Sequence, residues 1–211
     1  MVFVFGTTDC NTPNDNSNNK KMENYSTISA PTDSVHYDTA TFGAGCFWCV
    51  EAVFAELKGV KATLSGYTGG TVVNPTYEQI CTGNTGHAEV AQIIYDPKLT
   101  SYKDLLEVFW QVHDPTSLNR QGPDIGSQYR SVVFYRTEEQ KREAEYFKKR
   151  LNEDNVYGKP VVTTIEPMGH FYKAEDYHQD YYTNNANQPY CVYVIKPKLD
   201  KFRKVFKEKL K

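Results

Sequence analysis

The sequence predicts a single α+β domain, a two-layer sandwich of helices against a mixed sheet. Three observations support this fold class. Segments with the period of a strand alternate with segments with the period of a helix along most of the chain. Residues 87–95 are apolar on both faces, which is typical of a central strand in a covered sheet. The chain of 211 residues is long enough to bury one such core with a tail to spare.

Residues 1–38 are expected to form a disordered tail or tether ahead of one folded domain at residues 39–211. The tract 11–35 is rich in Asn and Ser and holds too few apolar residues to order itself. The apolar run at residues 2–5, followed by Cys10, also fits the remnant of an export or lipoprotein segment. We therefore expect a cytoplasmic protein by default, with a cell-envelope lipoprotein tethered near Cys10 as the alternative.

The first strand and the first helix meet at a cysteine between glycines and aromatic residues. Residues 41–44 form a short apolar strand, and Gly43 and Gly45 allow a sharp turn and the close approach of a ligand. A helix begins at Cys46 and stops before Gly59. Its apolar face, at helical spacing, is formed by Val50, Val53, Phe54 and Leu57.

The middle of the chain alternates strands with helices. Residues 60–67 alternate in polarity as a strand and run into a Gly-Gly turn. A short helix at 77–81 precedes the central strand at 87–95. Ser101 begins a capping sequence, which predicts a helix ending at Val112.

Residues 113–128 are predicted as a long loop, and loops of this length in a compact domain are usually functional or mobile. A strand at 129–135 and a helix at 137–151 follow, the helix capped by Thr137. Three further elements are predicted in order: a strand at 161–165, a short helix at 174–182 and an apolar core stretch at 190–195.

The last segment, residues 196–211, predicts an amphipathic C-terminal helix. It carries eight basic and two acidic residues in a chain whose net charge is −2. One helical face holds its apolar residues, Leu199, Phe202, Val205, Phe206 and Leu210. We expect this helix to dock on the acidic remainder of the chain rather than to lie on a membrane surface.

Composition excludes several classes of function. A net charge of −2 argues against nucleic acid as the main partner. No stretch approaches the roughly 20 apolar residues that a membrane span needs. Five cysteines are an odd count without the density of a disulfide scaffold, and they indicate redox chemistry. No second C-x-x-C or spaced histidine pair completes a zinc site, so no metal is expected.

Cys46 is the candidate nucleophile. At a helix start, unpaired N–H groups and the helix dipole favour negative charge, so we expect a thiol pKa below about 8.5. Phe47 and Trp48 can wall the sulfur with apolar surface. Cys49 follows one helical turn later, where the spacing suits a disulfide with Cys46.

A reducing step at this thiol also needs proton donors. Glu89 starts an apolar strand, where burial would raise its pKa and make it a proton donor near neutrality. Tyr77 and Tyr129 flank polar turns and can donate hydrogen bonds to an oxygen. Cys81 has no such context and is interpreted as a packing thiol.

Together these stretches resemble the A-type methionine sulfoxide reductases. The resemblance covers residues 41–182 and consists of several separate motifs in order, which makes it specific. The motifs are Gly45-Cys46-Phe47-Trp48, Gly66-Tyr67-Thr68-Gly69-Gly70, Asn74-Pro75-Thr76-Tyr77, Thr85-Gly86-His87-Ala88-Glu89, residues 126–130 and residues 175–182.

The resemblance implies a ferredoxin-like core, no cofactor and a role for each matched catalytic residue. Cys46 would attack the sulfoxide sulfur. Glu89, protonated, would donate to the sulfoxide oxygen, with hydrogen bonds from Tyr77 and Tyr129. The product is methionine, and the sulfenic acid left on Cys46 would condense with a second thiol to form a disulfide.

The resemblance also implies how substrate and reductant are used. Phe47 and Trp48 would hold the apolar methyl group, and Asp124 would bind the backbone region of the substrate. Family membership implies selectivity for the S epimer, in proteins and in small sulfoxides. Thioredoxin or a similar dithiol would reduce the disulfide, and a monomer is the default for one compact domain.

Two cysteines compete for the resolving role. Many relatives have glycine at the position of Cys49 and use a cysteine near the C-terminus, where Cys191 lies. Cys49 is favoured because it is one helical turn from Cys46 and needs no loop closure. Cys191 lies in an apolar run that resembles core rather than a mobile tail.

Two other classes of function remain open from the residues alone. A general thiol–disulfide oxidoreductase would use the Cys46-x-x-Cys49 pair but would leave Glu89, Tyr77 and Tyr129 without a role. A binding module would recognise a methionine-containing peptide with its aromatic residues and would not turn it over.

Overall fold

In the computed structural model, which describes residues 36–211, the chain folds around one mixed sheet. The strands within this range are β1 (Asp38–Ala44), β2 (Val60–Thr68), β3 (Ala88–Tyr95), β4 (Arg120–Gln121), β5 (Asp124–Ile125), β6 (Ser131–Tyr135), β7 (Thr164–Pro167) and β8 (Tyr172–Lys173). The α-helices are α1 (Phe47–Ala55), α2 (Tyr77–Cys81), α3 (Tyr102–Val112), α4 (Glu138–Glu153), α5 (Tyr181–Asn184) and α6 (Lys196–Val205). The expectations for residues 1–35, including the lipoprotein alternative at Cys10, lie outside the described residues.

The main sheet has the strand order β7-β6-β1-β3-β2-β8. Its four inner strands are antiparallel, and β7 pairs in parallel with β6, so the sheet is mixed. The order β6-β1-β3-β2, built from the chain order β1-α1-β2-β3-α3-β6, is the ferredoxin-like arrangement. The α+β prediction is confirmed, as is the central position of the strand that is apolar on both faces.

The helix-covered face of the sheet holds the main core. Phe42 of β1 packs its ring against Phe54, Tyr102 and Phe109, with centroid separations of 5.5, 6.0 and 4.9 Å. The opposite face carries a smaller cluster made by Ala88, Val90, Val132 and Phe134. Because side chains alternate along β3, Glu89 points to the helix-covered face, where α1 begins.

Helices α3 and α4 begin where their capping residues predict. Ser101 accepts from the N–H of Asp104, and the Asp104 carboxylate accepts from the N–H of Ser101, which completes a capping box. Thr137 accepts from the N–H of Gln140. Thr76 and Gln79 form a second box, which we did not predict.

Two predicted strands are displaced. The strand predicted at 129–135 begins at Ser131, after a 3-10 turn at Ser127–Tyr129. The strand predicted at 161–165 lies instead at Thr164–Pro167. The first residues of the predicted strand make hydrogen bonds outside the sheet. The N–H of Val161 donates to Oδ1 of Asn152, and that of Val162 donates to the carbonyl of Pro115.

The prediction of one helix at 174–182 is wrong. Asp176–His178 is a 3-10 turn, and Asp180 then adopts the left-handed region at φ +51° before the short helix α5. A residue in that conformation interrupts a right-handed helix. The loop at 113–128 contains a small hairpin, β4 paired with β5.

The C-terminal helix docks on the body of the domain as expected, but α6 ends at Val205. Leu199 and Phe202 are buried, whereas Val205 is 54 % exposed. Arg203 pairs with Glu56 of the α1 C-cap, and the ammonium of Lys209 lies 2.7 Å from carboxylates of Asp104 and Glu107. No helix in the described range is long and apolar enough to cross a membrane.

The apolar stretch at 190–195 is only partly core. It forms a π-helical turn, Cys191–Ile195, that runs into α6. Cys191 and Ile195 are fully buried, but Tyr193 is 79 % exposed. The stretch therefore follows a helical rather than a continuous burial pattern.

Candidate active site

Cys46 lies at the junction of β1 and α1 as the N-cap residue of the helix, not inside its first turn. Its backbone is not helical, with φ −54° and ψ 124°, and the residue is 6 % exposed. Gly45 before it has φ +89°, and a Cβ there would come within 2.6 Å of the side chain of Gln121. Glycine at this position therefore allows both the turn and the close contact.

The carboxyl group of Glu89 lies directly at this helix start. Glu89 is 1 % exposed, and its Oε2 accepts the N–H of Phe47, the first residue of α1, at 3.1 Å. Burial raises the pKa of Glu89 to about 8, although the Phe47 hydrogen bond acts in the opposite direction. The expected rise in pKa is confirmed, so Glu89 is mostly protonated at neutral pH.

The expected lowering of the Cys46 pKa is wrong for the free protein. Burial raises the pKa of Cys46 well above its ordinary value, and the charges of Cys49 and Glu89 act in the same direction. Burial is the main cause, and the Phe47 N–H at the helix start donates to Glu89 rather than to the sulfur.

Cys49 is the more acidic thiol of the pair. It lies one turn along α1 and is 1 % exposed. Hydrogen bonding with Cys46 lowers the pKa of Cys49 to about 7, against the effect of burial, and the positive charge of Lys198 contributes in the same direction. Both cysteines are free thiols in the structure.

Two phenols approach the same carboxyl group. Tyr77 begins α2 and Tyr129 ends the 3-10 turn before β6. Burial raises the pKa of both, and the charge of Glu89 adds to the rise in each case. Both hydroxyls therefore stay protonated at neutral pH and can donate hydrogen bonds.

Cys81 is not the packing thiol that we expected. It is exposed at the end of α2, and its side chain lies within hydrogen-bonding reach of the Tyr77 hydroxyl. The residue is placed there because α2 is only five residues long, so its last residue falls one turn from its first.

Phe47 and Trp48 form aromatic walls next to Cys46. Phe47 is buried, and its ring centroid lies 5.9 Å from that of Trp48. Trp48 is half-buried and stacks on Tyr181 with a centroid distance of 3.7 Å and an interplanar angle of 8°. Its Nε1–H donates to Nδ1 of His178 at 3.1 Å.

The structure adds Tyr190, which the sequence reasoning missed. Its hydroxyl donates to Oδ2 of Asp124 at 2.7 Å and lies within hydrogen-bonding reach of the Cys46 thiol. The ring also meets Trp48 edge-on at 5.8 Å. Asp124 is thereby brought to the site, and the only sequence signal for Tyr190 was its place beside Cys191.

Cys191 is fully buried on the turn that precedes α6. Burial raises the pKa of Cys191, and the charge of Cys49 acts in the same direction. The C-terminal thiol therefore lies near Cys49 without being exposed. Within residues 36–211 no cluster of His, Cys, Asp or Glu side chains is arranged to hold a metal ion.

The fold and the site define a class of protein. Two buried thiols one helical turn apart, facing a protonated carboxyl group and two phenols, constitute the site of a cysteine-dependent oxidoreductase that protonates the group it reduces. The aromatic walls beside Cys46 indicate that the part of the substrate held there is apolar.

The chain belongs to the peptide methionine sulfoxide reductase family, whose model matches residues 38–210. A relative from Sulfolobus acidocaldarius, the peptide methionine sulfoxide reductase MsrA, is 54 % identical over 172 residues, which are 82 % of this chain and 97 % of that protein.

Solved structures agree with this membership. Reduced Mxr1 from Saccharomyces cerevisiae superposes with a TM-score of 0.69 at 33 % identity, over 75 % of this chain and 91 % of that one. Methionine sulfoxide reductase A of Corynebacterium diphtheriae gives 0.65 at 34 % identity, over 72 % and 76 %. The structure of Mxr1 in complex with Trx2 shares the fold, with a TM-score of 0.50 at 24 % identity, over 73 % of this chain and 91 % of that one.

Proposed function

We propose that this protein is a peptide-methionine (S)-S-oxide reductase in which Cys46 is the nucleophile and Glu89 the acid. It returns methionine sulfoxide, in proteins and in small sulfoxides, to methionine, and so repairs oxidative damage. The observation that carries the assignment of roles is the protonated Glu89 carboxyl group, held against the helix start that bears Cys46.

The first step reduces the sulfoxide. The Cys46 sulfur attacks the sulfoxide sulfur while Glu89 delivers its proton to the sulfoxide oxygen, and Tyr77 and Tyr129 donate hydrogen bonds to that oxygen. The S–O oxygen passes to Cys46, which becomes a sulfenic acid, and methionine leaves as the thioether. Protonating the oxygen makes the sulfoxide sulfur more electrophilic, so the acid and the nucleophile act on one bond.

Ionisation of Cys46 follows from substrate binding rather than preceding it. The free thiol is disfavoured as a thiolate by burial and by nearby negative charge. Transfer of the Glu89 proton to the substrate and of the thiol proton to Glu89 keeps the total charge of the site constant. The buried site therefore need not hold an isolated thiolate, which would be costly there.

Phe47 and Trp48 hold the substrate methyl group. Their rings offer apolar surface beside Cys46 and no competing charge. Asp124 binds the polar backbone region of the substrate, and in the free protein the Tyr190 hydroxyl occupies its Oδ2. Substrate entry therefore requires the Tyr190 hydroxyl to release this carboxylate or to share it.

Cys49 is the resolving thiol. Its sulfur attacks the sulfenic sulfur of Cys46, an S–S bond forms, and the oxygen leaves as water. Proximity and the lowered pKa of Cys49, about 7, support this assignment. Cys191 is the alternative, because its buried thiol lies close enough to be affected by the charge of Cys49.

A thioredoxin-class dithiol supplies the electrons for the next cycle by exchange with the Cys46–Cys49 disulfide. The yeast relative Mxr1 is known in a complex with Trx2. We propose a monomer that works in the cytoplasm. Mass spectrometry of the natively expressed protein tests this location, since a lipid on Cys10 would contradict it.

A single-turnover experiment tests the whole proposal. Reduced protein receives one equivalent of the S-epimer sulfoxide without any thiol reductant, and the R epimer serves as the matched control. We expect stoichiometric methionine, loss of two thiols and a Cys46–Cys49 disulfide on peptide mapping. Absence of methionine with the S epimer would contradict the reductase assignment.

Two variants separate the candidate resolving thiols. Cys191→Ser should still lose two thiols per turnover, whereas Cys49→Ser should stop at the sulfenic acid. A Cys46–Cys191 disulfide in Cys49→Ser would transfer the resolving role to the C-terminal cysteine. A general thiol–disulfide exchanger would instead reduce insulin efficiently and would not depend on Glu89.

A further inference from the structure

Residues 175–181, hereafter the strap, pass behind the aromatic walls and contact each of them. Glu175 accepts the backbone N–H of Tyr77 at 2.9 Å and the hydroxyl of Tyr67 at 2.9 Å. Gln179 bonds both backbone groups of Ser65 on β2, each at 3.1 Å. Both ends of the strap are thus attached to β2, and the Glu175 end is also attached to the start of α2.

The strap also sets the position of Trp48. His178 accepts the indole N–H, and Tyr181 stacks on the indole face at 3.7 Å. Two of the contacts that orient this ring therefore come from one short segment. The mechanism assigns no role to either residue.

Glu51 is a buried carboxylate that the mechanism also leaves unused. It lies on α1, one turn after Phe47, and is 2 % exposed. Its Oε1 accepts the N–H of Asp180 at 3.1 Å, and the N–H of Tyr181 lies beside the same carboxylate. Asp180 is the residue at φ +51°, so these N–H groups turn towards α1 where the helical path of the strap is broken.

We propose that Glu51 is the positioning residue that ties the strap to the catalytic helix and thereby holds Trp48 in place for the substrate methyl group. Glu51 and Trp48 are three residues apart on α1, so both ends of this connection start from one rigid element. The path runs from the Glu51 carboxylate through the backbone of Asp180 and Tyr181 to the indole ring. The link from Trp48 to the methyl group rests on the proposed function.

The charge of Glu51 determines how strongly it holds the strap. A carboxylate accepts backbone N–H bonds more strongly than a carboxylic acid does. Burial raises the pKa of Glu51 to about 7, and the other charged group facing it, the Asp180 carboxylate, acts in the same direction. The hold is therefore strongest above pH 7 and weakens as the carboxyl group takes up its proton.

The direct test follows the indole itself. The chain has two tryptophans, Trp48 and Trp110, so 5-fluorotryptophan labelling yields two 19F resonances, which Trp48→Phe assigns. In Glu51→Gln we expect the Trp48 resonance to shift or broaden while that of Trp110 stays unchanged. An unchanged Trp48 resonance in a folded Glu51→Gln protein would overturn the proposal.

Titration of the wild-type protein keeps the test independent of how the variant folds. The Trp48 resonance should move with a midpoint near pH 7, and Glu51→Gln should lose that titration. Glu145→Gln, which removes an exposed acid from α4, is the matched control and should keep it. A wild-type Trp48 resonance that does not titrate in this range would count against the role of Glu51.

Kinetics then connect the position of Trp48 to the reaction. Glu51→Gln keeps a neutral acceptor for the Asp180 N–H but removes the charge that strengthens the bond, so KM for the S-epimer sulfoxide should rise by up to about tenfold while kcat stays within about twofold. A loss of kcat of the same size, with KM unchanged, would show that Glu51 acts on the chemical step instead. Because the 19F signal needs no turnover, failure of the proposed function and failure of this inference are distinguishable.

Discussion

The helix starts of α1 and α3 differ in how they satisfy their free N–H groups. Helix α3 is closed locally, since Ser101 and Asp104, three residues apart, satisfy each other's backbone N–H groups. Helix α1 has Cys46 at its N-cap and no side-chain hydrogen bond there. Its first N–H, that of Phe47, is taken by Glu89 from 42 positions away.

The difference separates a start that serves stability from one that serves chemistry. A local cap satisfies N–H groups with side chains of the helix start itself and so stabilises the helix without a distant partner. An uncapped start needs a distant acceptor, and here that acceptor is the acid which the reaction uses. The same N–H group that could have acidified the thiol instead orients Glu89.

Removing the acid should have the largest effect. Glu89→Gln keeps an acceptor for the Phe47 N–H but cannot transfer a proton, so we expect kcat to fall by about 10²- to 10⁴-fold. Steady-state kinetics with the S-epimer sulfoxide measure this. A variant that keeps more than a tenth of the activity would contradict the role of Glu89 as the acid.

The same substitution should stabilise the protein at alkaline pH. Glu89 has its ordinary pKa of 4.5 when unfolded and about 8 when folded, so the wild type loses stability as the pH rises between these values. Glu89→Gln lacks this loss. Denaturant titrations at pH 5 and pH 8 should show that the unfolding free energies of the two proteins diverge as the pH rises, and that the variant is the more stable protein at pH 8.

The rate should also respond to pH. Glu89 acts while protonated, so kcat/KM, which reports the free protein, is expected to fall tenfold per pH unit above a pKa of about 8. The fall should be absent from the residual activity of Glu89→Gln. A profile that rises through pH 8 would indicate that a deprotonated group limits the chemical step.

At the other helix start, Ser101→Ala should cost about 1 kcal/mol of unfolding free energy, because it removes a local cap. The kinetic constants should stay unchanged, since α3 contributes no side chain to the site. Chemical denaturation and steady-state assays on one preparation measure both. A change in kcat without a loss of stability would contradict the claim that the start of α3 serves stability and the start of α1 serves the reaction.

The smallest effect concerns Cys49. Lys198→Met removes one cation that contributes, after the Cys46 hydrogen bond, to the lowered pKa of Cys49. We expect that pKa to rise and disulfide formation at pH 7 to slow by less than tenfold. Following thiolate absorbance against pH, with Lys201→Met as the control from the same helix, checks the direction.

Local patterns made most of the fold predictable. Ser101 and Thr137 predicted their helices, and the apolar run at 87–95 predicted the central strand, because each signal lies within a few residues of its effect. The strands near 131 and 164 were misplaced because their ends depend on bonds to distant residues, such as the Val162 N–H to the Pro115 carbonyl.

The candidate site residues and the raised pKa of Glu89 were predicted from the sequence, but the raised pKa of Cys46 was not. The direction of the Cys46 pKa shift follows mainly from burial of the thiol, which no local pattern encodes. The bond between Tyr190 and Asp124 spans 66 positions and that between Asp180 and Glu51 spans 129. Such pairs follow from the topology of the sheet, not from spacing.

The hydrogen bond between Trp48 and His178 has a consequence for proton placement. An indole N–H can only donate, so Nδ1 of His178 must hold a lone pair and the imidazole proton must lie on Nε2. That Nε2 has no hydrogen-bond partner among the described residues and lies 3.8 Å from a carboxylate oxygen of Glu175. The ring is therefore restricted to one tautomer, and its 15N chemical shifts provide an intrinsic reporter of whether Trp48 is in place.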